Sequence, residues 1–407
     1  MTRGRIWPVI FTRLDWQIPQ LISESLHMLN FSRLLTSIVR PCAALCLSGF
    51  ALGSPSMMLS GMAAILATAP AQAVNCGSFN GKVCAGTAFQ YGGGFSPNAG
   101  EFGGFGGAAN CTASRTPVIF VHGNADNSTS WDAPTFQVAG YPKPPNSVYQ
   151  QFKAAGYKDC ELFGVTYLTD SERGAEQLNY HQPSKYEILA KFVNAVKKYT
   201  GKSKVDLITH SMGVSMSMAT FTYYGSWGSV RRFINVAGGL HGLDSCLWTG
   251  YGNPLASTCG SQNWLNPNVF GFYPNHSGLN AWTGTSASYA LANSGVQNPS
   301  VNFYTLYAGT KDQFMCATVS NYATCGNSPL LTAAPNVKAQ INVGAGANTQ
   351  QLNWDWTTGS PFNVNGGDQA GVGHFHAKSN TGTIMVKMLS TTCTTGCAAD
   401  YLYGPTQ

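Results

Sequence analysis

Residues 205–213 have the sequence Val-Asp-Leu-Ile-Thr-His-Ser-Met-Gly, and this stretch decides the fold. Val205 to Ile208 are mostly apolar, as in a buried strand of a parallel sheet, and residues 214–223 contain no Pro or Gly and can form a helix. Ser211 therefore lies on a sharp strand–turn–helix connection, which exposes a hydroxyl at the end of a sheet. Gly213 follows it, whereas Thr209 stands where a first glycine is usual. A serine that only caps the following helix is the alternative interpretation.

Strands and helices alternate on both sides of this turn. Residues 117–121 form an apolar run that leads directly into His122-Gly123-Asn124. Further strands are predicted at 162–167, 233–237 and 301–307, and helices at 184–199 and 381–389. This alternation specifies an α/β fold with a mostly parallel, doubly wound sheet. Residues 91–110 hold eight Gly, and we expect an irregular loop there.

The amino-terminal residues have the composition of a secretory signal peptide. No charged residue occurs between Arg40 and Lys82, and an apolar stretch precedes the small residues Ala71 and Ala73. A signal peptidase accepts such small side chains, so we expect cleavage before Val74; a membrane anchor is the alternative.

The domain organisation follows from this cleavage. We expect a signal peptide at 1–73, with an upstream extension at 1–27 if Met28 is the start, and one domain at 74–407. The mature protein would be secreted and extracellular, with no transmembrane anchor after processing.

Charge is sparse in the chain. The 407 residues carry a formal charge of +6, and only 10% of them are charged. Residues 1–73 hold five Arg against two acids, so the remainder carries 18 Lys and Arg against 15 Asp and Glu. This near-neutral remainder excludes a nucleic-acid partner bound through basic patches, and the hydrophobic fraction of 44% excludes a disordered chain.

Ten cysteines follow residue 73, an even number that is typical of an oxidised, exported protein. Short separations along the chain suggest the pairs 76–84, 246–259, 316–325 and 393–397, which leaves 111 for 160 by elimination. Zinc-ligand spacings with His are missing from the sequence, so a metal site is the weaker interpretation.

A serine hydroxyl needs a base, a carboxylate that orients the base, and donors for the oxyanion. In the chain order Ser, acid, His, we expect Asp312 as the acid, because it follows the strand at 301–307 through a short loop. Asp244, Asp355 and Asp368 compete, but the first comes early and the others lie in polar loops. His374, on a glycine-containing loop before the last helix, is the expected base.

Spacing does not exclude His376 as the base, and we expect His210 to pack or bond locally. The expected oxyanion donors are the backbone N–H groups of Asn124 and Met212.

These motifs resemble those of a known family. The run 116–124 (Thr-Pro-Val-Ile-Phe-Val-His-Gly-Asn), the turn 209–217, Ala308-Gly-Thr-Lys-Asp312 and Gly371-Val-Gly-His374-Phe are similar to segments of the extracellular poly(3-hydroxybutyrate) depolymerases that act on native, amorphous granules. The resemblance spans residues 76–405. It implies a lipase-like α/β-hydrolase fold, a triad of Ser211, Asp312 and His374, and no separate substrate-binding module. Thr209, where the family tends to have Ala, and His376, where a basic residue is expected, depart from its pattern.

An uncharged aromatic segment suggests the kind of substrate. From Cys246 to Thr310 the chain has no Asp, Glu, Lys or Arg, and its aromatic-rich part lacks strand or helix periodicity. We expect an insertion near the active site that contacts a neutral, water-insoluble ester, although rings filling a satellite core are the alternative. The candidate substrate-binding residues are Tyr180, Trp248, Tyr251, Trp264 and Trp282.

The sequence thus predicts a secreted serine hydrolase that cleaves poly(3-hydroxybutyrate) or a related short-chain polyester through an acyl-enzyme. No cofactor is implied, the expected partner is the surface of the insoluble polyester, and we expect a monomer. An extracellular lipase or carboxylesterase is the first alternative, and a non-catalytic protein that binds the polymer surface is the second.

Overall fold

The computed structural model describes residues 91–97, 99–100, 103–179, 181–240, 298–316, 325–344 and 373–407, together with Thr258 and the backbone of short strands at 78–79, 82–83, 353–355 and 360–363. The predicted signal peptide and its cleavage site lie outside these residues. None of the described helices combines the length and the apolar character that a membrane crossing requires.

A seven-stranded sheet forms the centre of the described chain, in the order β3–β5–β4–β6–β7–β8–β9. The strands in chain order are β1 (Ser78–Phe79), β2 (Lys82–Val83), β3 (Gly104–Phe105), β4 (Val118–Val121), β5 (Leu162–Val165), β6 (Val205–His210), β7 (Val230–Val236), β8 (Asn302–Tyr307), β9 (Val337–Asn342), β10 (Asn353–Asp355) and β11 (Ser360–Asn363). All neighbours in the sheet pair in parallel except β3, which runs antiparallel to β5. The strands β4 to β6 are buried along their whole length, as the apolar runs predicted.

Helices cover both faces of this sheet. They are α1 (Val148–Ala154), α2 (Asp170–Arg173), α3 (Pro183–Thr200), α4 (Met212–Tyr223), α5 (His374–Ser379) and α6 (Gly382–Ser390). Alternate residues of β4 point to opposite faces: Ile119 joins the core under α3 and α4, and Phe120 joins the core under α1 and α6. The chain therefore has a doubly wound, mostly parallel sheet and an α/β-hydrolase fold, as the sequence predicts.

Three local expectations were wrong. Within the glycine-rich loop, β3 pairs with β5; a Cβ on Gly104 would lie 2.1 Å from the carbonyl oxygen of Gly164, so glycine allows the close pairing. His374 begins helix α5 instead of lying on a loop. Asp355 ends strand β10 rather than lying in a loop without a strand.

Two of the five predicted disulfides are present among the described residues. Cys111 and Cys160 are bonded, and so are Cys393 and Cys397. Cys316 is also disulfide-bonded. The predicted pairs 76–84 and 246–259 lie outside the described residues.

Candidate active site

Ser211 lies between the carboxyl end of β6 and the start of α4. Its backbone has φ 54° and ψ −127°, a left-handed conformation that costs a non-glycine residue about 1–3 kcal/mol. Its N–H donates to the carbonyl of Val236 on β7 at 2.9 Å, and its side chain makes no capping hydrogen bond to α4. The backbone of Ser211 is therefore held in a strained conformation at the end of the sheet, and its hydroxyl does not cap the helix.

Two glycines allow this turn to pack against the loop after β4. A Cβ on Gly213 would lie 2.2 Å from the carbonyl oxygen of His122, and one on Gly123 would lie 2.9 Å from the Cβ of Ser211. No larger residue fits at either position without moving backbone or the Ser211 side chain. Thr209, in place of the usual first glycine, is buried and donates its hydroxyl to the carbonyl of Ile234 at 2.9 Å.

Asp312 and His374 meet directly although 62 residues separate them. Nδ1 of His374 lies 2.8 Å from Oδ2 of Asp312, and the two side chains are 2% and 1% exposed. Oδ1 of Asp312 accepts from the N–H groups of Phe314, at 2.9 Å, and Met315, at 3.1 Å. Since both oxygens accept hydrogen bonds, the carboxylate is fixed and orients the imidazole, whose Nε2 has no hydrogen-bond partner among the described residues.

His210 connects His374 to the turn that carries Ser211. Nε2 of His210 donates to the backbone carbonyl of His374 at 3.2 Å, and the two rings are 4.6 Å apart. His210 packs, as expected, on the rings of His374 and Phe375, but its hydrogen-bond partner is not local in sequence and comes from α5. In the described structure no hydrogen bond joins Ser211 Oγ to His374, and such bonds commonly tighten only when substrate binds.

The backbone N–H groups of Asn124 and Met212 have no hydrogen-bond partner among the described residues. Asn124 follows the His122-Gly123 turn after β4, and Met212 is the first residue of α4. Unpaired N–H groups beside a candidate nucleophile can stabilise the negative oxygen of a tetrahedral intermediate.

The side chain of Asn124 is not one of these donors; its hydrogen bonds hold the loop after β4 in place. Its Oδ1 accepts from the side chain of Asn179 at 2.7 Å, and its Nδ2 donates to the carbonyl of Glu176 at 2.8 Å. Asn179 is buried and also donates to the carbonyl of Glu172. Sequence reasoning missed Asn179, because nothing in its neighbourhood distinguishes it from a solvated loop residue.

A second polar network supports the first turn of α4. His181 is buried between Tyr186 and Ser215, with its ring nitrogens 2.8 Å and 3.1 Å from their hydroxyl oxygens. Ser215 Oγ in turn donates to the carbonyl of Met212 at 2.9 Å. Because Ser215 donates to Met212, it accepts from Nε2–H of His181, and Nδ1 of His181 accepts from the Tyr186 hydroxyl. The imidazole of His181 therefore carries one proton and is neutral.

Burial lowers the pKa of His181 to about 3 and the pKa of His122 to about 4. The unfolded chain binds protons on both residues at about pH 6.5. Between pH 6.5 and 4 the unfolded state therefore holds more protons on these two residues, and their contribution to the free energy of unfolding falls as the pH falls.

Replacing His181 with glutamine is expected to weaken this dependence on pH. One such group contributes a slope of up to ~1.4 kcal/mol per pH unit. We would compare denaturant unfolding of wild type and His181→Gln between pH 6 and 4.5, with Lys191→Gln on the exposed face of α3 as the control. An equal slope in wild type and His181→Gln would contradict the prediction.

The remaining sequence-predicted site residues are placed as follows. His376 is buried and its ring lies 4.3 Å from that of Phe136, whereas Asp312 contacts His374. Asp244, Asp368 and the five candidate substrate-binding residues lie outside the described residues. Among the described residues, no cluster of three or more His, Cys, Asp or Glu could hold a metal ion.

Comparison with known families matches residues 115–222 to the family of class 2 lipases. This segment contains the loop after β4 and the Ser211 turn, and ends before Asp312 and His374. No curated protein matches the chain significantly.

Solved structures of several hydrolases are similar to parts of the chain. Aspergillus fumigatus lipase B is 17% identical, with 68% of this chain and 53% of that chain covered and a TM-score of 0.38. The mature form of Bacillus licheniformis lipase BlEst2 is 14% identical, with 56% and 84% covered and a TM-score of 0.31. Its propeptide form is 16% identical, with 50% and 38% covered and a TM-score of 0.30. The chain thus spans only 53% of lipase B and 38% of the propeptide form of BlEst2, which are both less than two thirds.

Sheet order and the strand–turn–helix geometry at Ser211, rather than these distant similarities, establish the α/β-hydrolase fold.

Proposed function

We propose that this chain is a secreted serine hydrolase that cleaves the ester bonds of poly(3-hydroxybutyrate) or a related short-chain polyhydroxyalkanoate. One observation carries the chemical part of the proposal: the imidazole of a buried Asp312–His374 pair packs on His210, the residue that precedes the strained, uncapped Ser211. The proposed set is a nucleophile, an oriented base and two N–H donors that have no partner in the described part of the chain, which is what acyl transfer requires.

The reaction proceeds in two steps. Ser211 Oγ attacks the ester carbonyl while His374 Nε2 takes its proton, and the N–H groups of Asn124 and Met212 bind the oxyanion. His374 then gives this proton to the alkoxide oxygen as the ester C–O bond breaks, and the shortened polymer departs as an alcohol and leaves an acyl-enzyme. Water attacks that ester with His374 as base again, and Ser211 is released with its proton restored.

Two sequence observations support a polymer substrate. The motifs around Ser211, Asp312 and His374 resemble those of depolymerases that act on amorphous granules, and the stretch from Cys246 to Thr310 is uncharged and rich in aromatic residues. An uncharged aromatic surface suits a neutral polyester. We therefore propose the granule surface as the partner, and we propose no cofactor and no nucleic acid. The Cys111–Cys160 and Cys393–Cys397 disulfides support secretion.

An extracellular lipase or carboxylesterase is the second candidate. The match of residues 115–222 to class 2 lipases favours it. Ser211, Asp312 and His374 would hydrolyse a glyceride by the same two steps.

Three substrates distinguish the two candidates: amorphous poly(3-hydroxybutyrate) granules, tributyrin and emulsified triolein. We expect the secreted protein to release hydroxybutyrate and its oligomers from the granules, and boiled protein serves as the blank. Release from the glycerides alone would assign the chain to the lipases and contradict the polymer proposal. Hydrolysis of none of the three would contradict both candidates.

A further inference from the structure

A buried ion pair lies next to the candidate active site. Nζ of Lys378 is 3.0 Å from Oδ2 of Asp126, and the two side chains are 2% and 4% exposed. Ser130 Oγ donates to the same carboxylate oxygen at 2.7 Å and accepts from Lys378 at 2.7 Å. Removing two charges from water is costly, and apolar residues of similar size are often as stabilising. A gain in stability is therefore a weak explanation for burying this ion pair.

The positions of its two ends suggest a different reason. Lys378 is one turn after His374 on α5, and Asp126 is two residues after Asn124 in the loop that follows β4. The pair therefore connects the base to an oxyanion donor across 252 residues of sequence.

Both connected elements depend on tertiary contacts for their position. Helix α5 has only six residues, too few to be stable by itself. The loop contains Ala125 in a left-handed conformation, with φ 54°. A direct bond joins these two elements, beside the contacts of His374 with Asp312 and of Asn124 with Asn179.

We propose that Lys378, through Asp126, is a positioning residue that fixes the His374 base relative to the Asn124 oxyanion donor. The proposal rests on the proposed serine-hydrolase function. In the transition state the proton reaches His374 as negative charge develops at the oxyanion, so both groups must be in place at once. Loss of the connection therefore lowers kcat, whereas KM for a small ester changes little.

The test replaces both charges together, because a single replacement leaves a buried charge without its partner. The Lys378→Met/Asp126→Asn double variant is expected to lower kcat for p-nitrophenyl butyrate by ~30-fold and to change KM by less than about threefold. The matched control is Arg231→Met/Asp206→Asn. This pair has a buried carboxylate on β6, with Arg231 Nε 2.9 Å from Asp206 Oδ1 near the opposite end of the strand from Ser211. We expect the control to lower Tm and to leave kcat per folded molecule unchanged.

A kcat of the double variant within about threefold of wild type would overturn the positioning role, and so would an equal loss in the control. If the double variant does not fold, the Ser130→Ala variant tests the positioning role instead, because it removes one hydroxyl from the network and keeps both charges. We expect that variant to lower kcat by ~5-fold at constant KM, and an unchanged kcat would overturn the proposal. A wild-type protein that hydrolyses no ester would instead refute the proposed function, and the positioning role with it.

Discussion

Replacing Ser211 with alanine is expected to lower kcat for ester hydrolysis by about 10⁶-fold, to the rate that the oxyanion donors alone sustain. The variant loses the atom that forms the acyl-enzyme. Its stability should change by less than ~1 kcal/mol, because the hydroxyl makes no capping hydrogen bond and alanine meets the same backbone strain. Steady-state hydrolysis of p-nitrophenyl butyrate and labelling by a phosphonate ester measure the loss.

Ser217 provides the matched control for this experiment. It lies on the same helix, α4, and its buried Oγ has no hydrogen-bond partner among the described residues. Ser217→Ala should therefore keep kcat within about twofold of wild type. A Ser211→Ala protein that keeps more than about 1% of wild-type kcat would show that another group is the nucleophile.

Replacing His374 with alanine is expected to cause a loss of similar size, about 10⁶-fold in kcat. Without the imidazole no group takes the proton from Ser211, and Asp312 is left buried beside a cavity. Part of the effect can therefore appear as lower stability, so kcat is measured per folded molecule, with the folded fraction taken from circular dichroism.

His376→Gln tests the alternative base in the same helix. The His376 ring packs on Phe136, and the contact between Asp312 and His374 gives His376 no part in the proposed proton transfer. We expect its kcat per folded molecule to stay within about threefold of wild type. The reverse pattern, with His374→Ala active and His376→Gln inactive, would move the base to His376.

Sequence patterns predicted the strands that surround the Ser211 turn, because these strands are buried on both faces and are therefore continuously apolar. They did not predict β9, whose residues Lys338, Gln340 and Asn342 are only partly buried at the edge of the sheet. They also missed α1 and α5. A helix of six or seven residues has little intrinsic stability, so its sequence carries a weak signal.

The candidate site likewise has features that the sequence predicted and features that it could not predict. The order of Ser211, Asp312 and His374 along the chain, each near the end of a predicted strand or before a helix, predicted that the three meet. The structure brings Asp312 and His374 into contact, and the part of Ser211 stays a prediction. Sequence spacing could not choose between His374 and His376. In the structure Asp312 lies against His374 and not against His376, because α5 presents only one of the two rings to the loop after β8.

By itself, the sequence determined the α/β sheet, the strand–turn–helix at Ser211 and the residue types available for acyl transfer. These properties depend on local patterns of apolar residues, glycines and hydroxyls, which a single chain displays directly. Only the tertiary structure decided that His210 bonds to His374, that Asn179 holds Asn124, and that Lys378 meets Asp126. Residues in these contacts are 55 to 252 positions apart. The energy of burying a polar group with its partner depends on the folded geometry, which leaves no periodic trace in the sequence.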